Sequence, residues 1–534
     1  MPWLDSQRPR PTLTGSPRAT TGGAASGRDP SSPVVTYIPP LVDGASGTVP
    51  RAQKSMAFSL GQDVGRMASM LPRFLVAGWE ELLARRRSMT AMDLADLLTH
   101  LSLAGVEMYT MAFAMPLWLF LPGFLYIFWL GGCVGTAYVL TTLLNGSAQV
   151  MTSTVGSEDW VLGRDTKAER WFFVGGMGTS SRHLGSTMLP ALCQLFRRPI
   201  SAIHRPTCGI PLDLIGLLVQ RCTAMPTQSS RLLHTQLRMS LLDSSVQRVV
   251  LLSHNSGSVT ASQVIAQLCA DLPDTKLGKL EVYTFGAASA EFVAPLGEMA
   301  EPRQTSGDEQ QDRPSRPAAR TVPHFEHFAF EDDVFAQIGI LGSLREDLDG
   351  RFCGGVFVID GQGLRRAQSR TPPSLSASGG RPLRADTRLS GLSMDDYMAA
   401  LFPTAQAAGG AAVVSALDSI MGIDRDLAEK RELAAIANYQ ALLPPSSAAS
   451  PPTAKVPSRR SWTYLGATAG AAVHGVGHGG YHGLKGLEMV RQGCRGCNGH
   501  RGAEVSWLVR YVAVGDELDP REGSEGTATP IRTA

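Results

Sequence analysis

The residues best suited to chemistry stand together in VVLLSHNSGSVTASQVIAQL, residues 249–268. An apolar run of the kind that forms a buried strand leads into Ser253-His254-Asn255-Ser256-Gly257 and out into an amphipathic helix. Strand, tight turn of small residues and helix are the setting of a nucleophile elbow, which holds a hydroxyl at the tip of a strained turn. Strand and helix cross closely there, so the positions two before and two after the apex must be small. With Asn255 at the apex the flanks are Ser253 and Gly257, both small; with Ser256 they are His254 and Ser258, and the imidazole collides. Sterics therefore predict Asn255 at the apex, and Asn tolerates the positive φ of such a turn better than most residues. A carboxamide is no nucleophile for acyl transfer, so the turn is shaped for catalysis but lacks its reactive group. The competing reading makes Ser253 or Ser256 the nucleophile, with His254 or a distant His as base.

A serine triad also needs an acid and a base. Asp333, in EDDVFAQ, follows an apolar run downstream and suits the acid's position; as a loop carboxylate it suits a turn cap equally well. The base is expected within 361–405, yet no His occurs between His327 and His474. Gly175-Gly176-Met177, after an earlier strand, offers backbone N–H groups for an oxyanion, or a plain strand-to-helix turn. His204 and Cys208, in HRPTCG, are candidates for a pocket mouth. His324 and His327, three apart on a strand, face opposite ways and read as structural.

These groups need a scaffold. Runs suited to buried strands occur at 170–177, 199–206, 248–254, 279–287, 323–333 and 352–360, with helical segments at 183–197, 212–222, 228–243 and 258–271. Such alternation predicts an α/β fold with a mostly parallel sheet and helices on both faces. In such sheets functional groups collect at the carboxyl ends of the strands.

Ahead of this lies a stretch of another kind. Met108 to Ser157 contains no Asp, Glu, Lys, Arg or His, and Ala112–Leu144 is almost wholly apolar. About 20 apolar residues suffice to span a bilayer core as helix. Trp118, Tyr126, Trp129 and Tyr138 are aromatics of the type found at headgroup boundaries. Pro122-Gly123 either kinks one tilted span or turns a re-entrant hairpin. The charge bias for orientation is weak, and MPWLDSQRPRP has no apolar core behind its basic residues, so no cleavable signal is expected. Asn145-Gly146-Ser147 is a formal glycosylation sequon at the membrane edge.

The chain of 534 residues divides by composition into a disordered tail (1–53), amphipathic helices (54–104), a membrane-embedded segment (105–145), the α/β domain (160–405), a helical segment (406–442), a linker (443–460), a Gly/His/Cys-containing segment (461–517) and a disordered tail (518–534). The helices of 54–104 either pack on the domain or lie on a membrane surface. A net charge of +2 gives no reason to expect a nucleic-acid partner, and eight scattered Cys suit a reducing compartment. Cys494, Cys497 and His500, with His474, His478 and His482, form a loose metal-ligand pattern. Its Gly content argues for a flexible segment instead, so no metal and no cofactor are expected.

WFFVGGM, ISAIHRPTCGIPLDLIGLLVQR, VVLLSHNSGSVTASQVIAQL, LEVYTFGAASAEF and VPHFEHFAFEDDVFAQIGIL, in this order, resemble an uncharacterised family of fungal α/β-hydrolase-like proteins, themselves similar to serine lipases and esterases. The likeness covers about 168–405, with a fainter match near Val505–Val514. It implies an α/β-hydrolase fold and a serine where Asn255 stands. It also implies an imidazole in the region of LSMDDYMAALFP, which has none. The expectation is an integral membrane protein with a degenerate triad and a binding or scaffold role. Its partners would be the lipid bilayer and a lipid or acyl ligand. An active esterase acting on acyl esters and a metal-binding tail are the alternatives.

Overall fold

A computed structural model describes residues 33–40, 56–85, 90–153, 168–223, 225–295, 321–347, 352–370, 391–403, 415–424, 427, 430, 431 and 501–512. All fall within one compact unit, Pro33–Ala534. Most of the segments expected as tails, linker and helical region, together with Cys494, Cys497 and His500, lie outside the described residues.

The strands are β1 (Val35–Ile38), β2 (Val150–Ser153), β3 (Glu169–Val174), β4 (Ile200–Ile203), β5 (Arg248–His254), β6 (Leu280–Phe285), β7 (His324–Phe330), β8 (Gly355–Ile359) and β9 (Met421–Ile423). They form one sheet in the order β2-β4-β3-β5-β6-β7-β8-β1-β9. The block from β4 to β8 is parallel throughout. At its flanks β2 and β1 run antiparallel to their neighbours, and β9 joins β1 in parallel. The six apolar runs of the sequence are the six parallel strands. The three flanking strands span four residues or fewer, too short for a period to register.

Helices cover both faces, so the central strands are apolar nearly throughout rather than alternating. Apart from shorter turns, the helices after the membrane-type segment are α4 (Leu189–Phe196), α5 (Ile210–Thr223), α6 (Gln228–Leu242), α7 (Gly257–Asp271), α8 (Val334–Ile338), α9 (Gly361–Arg370) and α10 (Met394–Leu401). Val250 and Leu252 of β5 join α4, α10 and residues 505–511 in one core, whereas Val249 and Leu251 join α6 and α7 in the other. Residues 501–512 are integral to the first core. Tyr511 Oη donates to Glu281 (2.7 Å), Ser506 Oγ donates to Glu326 (2.7 Å), and Trp507 stacks on His324 at 4.1 Å. His327 faces the other way, against Thr284 Oγ1 and Cys353 O, both at 2.8 Å. Burial lowers its pKa to about 4, which makes it a neutral structural imidazole.

Before the sheet stand three long helices, α1 (Met56–Arg85), α2 (Ala91–Phe120) and α3 (Gly123–Asn145). A capping box starts α2: Thr90 N–H donates to Asp93 Oδ2 (2.9 Å), and Asp93 N–H donates to Thr90 Oγ1 (3.2 Å). Pro122 has no N–H to continue the helix, and the chain reverses at Leu121-Pro122 so that α3 packs back on α2. The segment is thus a helical hairpin, and its first arm runs unbroken from the amphipathic stretch through residues 104–105. Both arms are long and apolar enough to cross a membrane.

The base of the hairpin is tied to the α/β part. Asp96 accepts from Ser180 Oγ (2.5 Å) and Arg182 Nη1 (3.0 Å), and Glu107 accepts from Leu212 N–H (3.3 Å). Asn145 spans the Thr207 backbone, accepting from its N–H and donating to its C=O, each at 2.8 Å. The sequon's carboxamide is therefore used internally.

Candidate functional site

The central strand β5 ends at His254 and α7 begins at Gly257. Asn255 between them has φ +53°; among the described non-glycine residues only Arg197 shares a positive φ. The conformation is held from several sides. Asn255 N–H donates to Phe285 O of β6 (2.8 Å). Its carbonyl accepts from Ser258 N–H (3.1 Å), Ser258 Oγ (2.6 Å) and Ala288 N–H (3.3 Å). Surroundings that over-determine a backbone outlier in this way are what let it persist. A Cβ on Gly257 would stand 2.5 Å from Val174 O and 2.6 Å from Gly175 O, so strand and helix can cross only over a glycine. The Gly175-Gly176-Met177 loop lies over the turn. A Cβ on Gly176 would stand 2.8 Å from Asn255 Cβ and 3.2 Å from His254 Nδ1.

Two strands along the sheet, Asp333 follows β7. Oδ1 accepts from Phe335 N–H (2.8 Å) and so caps α8. Oδ2 accepts from Tyr397 Oη (2.6 Å), which in turn accepts from Phe330 N–H (3.2 Å). Burial pushes the Asp333 carboxyl up to about 7, although these donors pull it down. Burial and the neighbouring carboxylate push the Tyr397 phenol well above its ordinary value. The acid's side-chain partner is thus a phenol; among the described residues no imidazole bonds to it.

His254 lies between Gly176 and Tyr397, its ring centroid 6.0 Å from the phenol ring. It is buried, and burial lowers its pKa to about 4, only partly offset by the Gly391 backbone beside it. The Gly391 backbone is the polar group its ring meets, and Ser253 Oγ, Asn255 Oδ1, Ser256 Oγ and Ser289 Oγ, all buried around the same turn, complete no hydrogen bond. Ser256 is the N-cap of α7 with φ −64°, one residue past the apex, and no bond joins it to His254.

The wall beside the turn is apolar. Met177, Val259, Ala288, Val334 and Phe335 form a third core with Met67 and Phe74 on the inner face of α1. The Phe74 and Phe335 rings meet edge to face at 5.8 Å. A buried pair pins this helix: Arg221 Nε of α5 lies 3.0 Å from Asp63 Oδ2, and the guanidinium also donates to Ala288 O and Ile338 O. His204 serves the hairpin base, 3.3 Å from Asn145 Oδ1, and Cys208 N–H donates to Asp213, so neither takes part in the bonds at the turn. Among the described residues no three His, Cys, Asp or Glu side chains are grouped to hold a metal ion.

Tyr397, Ser289 and the Asp63–Arg221 pair escaped the reading of the sequence. For Tyr397 a signal existed. Ser393 caps a helix, accepting from Asp396 N–H (3.3 Å), and Met394, Tyr397, Met398 and Leu401 then recur at helical spacing toward the sheet. No family model, curated protein or solved structure matches the chain.

Proposed function

We propose that this chain is a membrane-tethered protein with an α/β-hydrolase-like scaffold, that its serine-hydrolase chemistry is lost, and that the former active site binds an acyl or lipid ligand without cleaving it. The observation that carries this reading is Asn255 at the positive-φ apex of the strand-to-helix turn. A carboxamide there offers no alkoxide. The acid speaks for the same conclusion: in a working triad it orients an imidazole, whereas Asp333 holds a phenol that stays protonated at neutral pH. Chain order, with Asp333 after the elbow, fits the hydrolase pattern.

Binding is supported by the unpaired polar atoms. A buried donor or acceptor left unsatisfied costs about 1–3 kcal/mol, and the hydroxyls of Ser253, Ser256 and Ser289 and the carboxamide oxygen of Asn255 crowd one turn without a partner. A carbonyl or headgroup oxygen, or ordered water, satisfies groups of this kind. The apolar side chains of Met67, Phe74, Met177 and Phe335 alongside suit an acyl chain. The hairpin fits delivery of such a ligand from a bilayer. An active esterase using Ser256 and His254 is favoured by the unpaired Ser256 Oγ alone; the lack of any bond between the two speaks against it.

The test is the full-length protein purified in nanodiscs, assayed with p-nitrophenyl esters and extracted for bound lipid. The account expects no turnover above that of Asn255→Ala and a co-purifying acyl lipid. Turnover lost on Ser256→Ala overturns it.

A further inference from the structure

Helix α1 is apolar on two faces, and the fold uses only one. Its inner face, with Leu60, Met67, Met70 and Phe74, packs toward α5 and α8. Its outer face leaves Val64, Leu71, Leu75, Trp79 and Leu83 exposed, Leu75 and Trp79 each to 62%. Spaced by seven and then by fours, these five make one stripe, about 28 Å long at the helical rise. Helix α5 packs on both α1 and α2 and exposes Leu212, Ile215 and Val219, again at helical spacing. The apolar surface of the hairpin therefore continues over α5 onto α1. Exposed apolar side chains on adjoining helices mark an interaction surface.

We propose that the outer faces of α1 and α5 are seated in the headgroup–acyl boundary of the leaflet that the hairpin enters, so that the α/β part lies on the lipid instead of standing off it. The inference rests on the membrane placement of the hairpin. Whatever surrounds arms free of Asp, Glu, Lys, Arg and His from Met108 to Asn145 must also meet α5, which is packed against one of them. That continuity selects lipid over a second copy of the chain. The sequence at the end of α1, Arg85-Arg86-Arg87, is the basic flank that strengthens interfacial helices on anionic lipid. Because the inner face of α1 covers the residues beside Asn255, a single helix then separates the candidate site from the bilayer, and a ligand enters from the lipid side.

The test places an environment-sensitive fluorescent amino acid singly at Leu75, Ile215, Phe120 or Gln247 in the full chain. Each protein is reconstituted into phosphatidylcholine–phosphatidylglycerol vesicles containing brominated lipid. Gln247 is an exposed residue at the opposite end of β5 from the turn. Probes at Leu75 and Ile215 are expected to be quenched roughly twofold by bromines near the glycerol end of the chains, Phe120 by lipid bromines as well, and Gln247 by none. Quenching at Phe120 alone overturns the seating and leaves the hairpin reading intact; quenching nowhere overturns both. Blue-shifted but unquenched probes at Leu75 and Ile215 assign the surface to a second copy and also overturn the seating.

Discussion

Tyr397→Phe isolates the bond between the Tyr397 phenol and Asp333. The variant keeps the ring and its packing against Phe330, at 4.8 Å, so no cavity opens. It removes the 2.6 Å donor to Asp333 Oδ2 and strands Phe330 N–H, which lies 3.2 Å from the phenol. A hydrogen bond to a charged group contributes about 1.5–3 kcal/mol and a stranded buried N–H costs about 1 kcal/mol or more, for a loss of roughly 3 kcal/mol. At an unfolding entropy of about 2.1 cal/mol/K per residue, that lowers the melting midpoint of a unit of several hundred residues by roughly 3–5 °C. The loss depends on pH with a definite sign. Burial raises the Asp333 pKa to about 7, so the folded state binds this proton more readily than the unfolded one. Stability from this group is therefore full in acid and is lost as pH rises toward 7. The phenol opposes that rise by favouring the carboxylate, so removing it lifts the pKa further and carries the loss beyond pH 7. Differential scanning fluorimetry in detergent at pH 5, 7 and 8 should find the gap between wild type and variant widest at pH 8 and narrowest at pH 5. An unchanged midpoint at pH 8, or a gap that ignores pH, refutes the reasoning.

Other substitutions probe the rest of the arrangement. Gly257→Ala drives a methyl against two carbonyl oxygens and should cost about 3 kcal/mol or more, whereas Gly216→Ala, with open space around it in α5, should be neutral or stabilising by up to about 1 kcal/mol in the same melts. Asp63→Ala leaves Arg221 buried and unpaired, for a loss of about 3–5 kcal/mol; Asp63→Ala with Arg221→Met should recover much of it, and a double variant as unstable as the single one contradicts the pairing. Asn255→Ser alone should stay inert to a fluorophosphonate probe, because it supplies a hydroxyl at the apex without a base. Combined with Tyr397→His, which puts an imidazole beside Asp333, it should gain labelling; labelling of the single variant shows that a base already serves the turn.

How far the sequence could be read follows from what each element depends on. The six parallel strands announce themselves because both faces are buried, and unbroken apolar runs survive in the sequence. The position of Asn255 could be reasoned from size alone, since a turn that crosses a helix tolerates only Ser253 and Gly257 at its flanks, and the close approach of Gly257 to Val174 O is the physical content of that rule. Proline marked the hairpin's turn, but whether Pro122 bends one helix or separates two depends on packing between α2 and α3, which no local pattern encodes. Tyr397 was legible as a helix residue and not as the partner of Asp333. The two are 64 positions apart and meet only once β7 and α10 lie side by side. The Asp63–Arg221 pair spans 158 positions and was invisible for the same reason. The helical periodicity of 54–104 was legible, but which of the apolar residues of α1 the fold would bury and which it would leave outward was not.

The most direct measurement is fluorophosphonate labelling of the full-length protein in native-like membranes, with mapping of any modified peptide. The account predicts no adduct on residues 249–268, since the residue at the apex is a carboxamide. An adduct on Ser253 or Ser256 that disappears with the corresponding alanine substitution contradicts it.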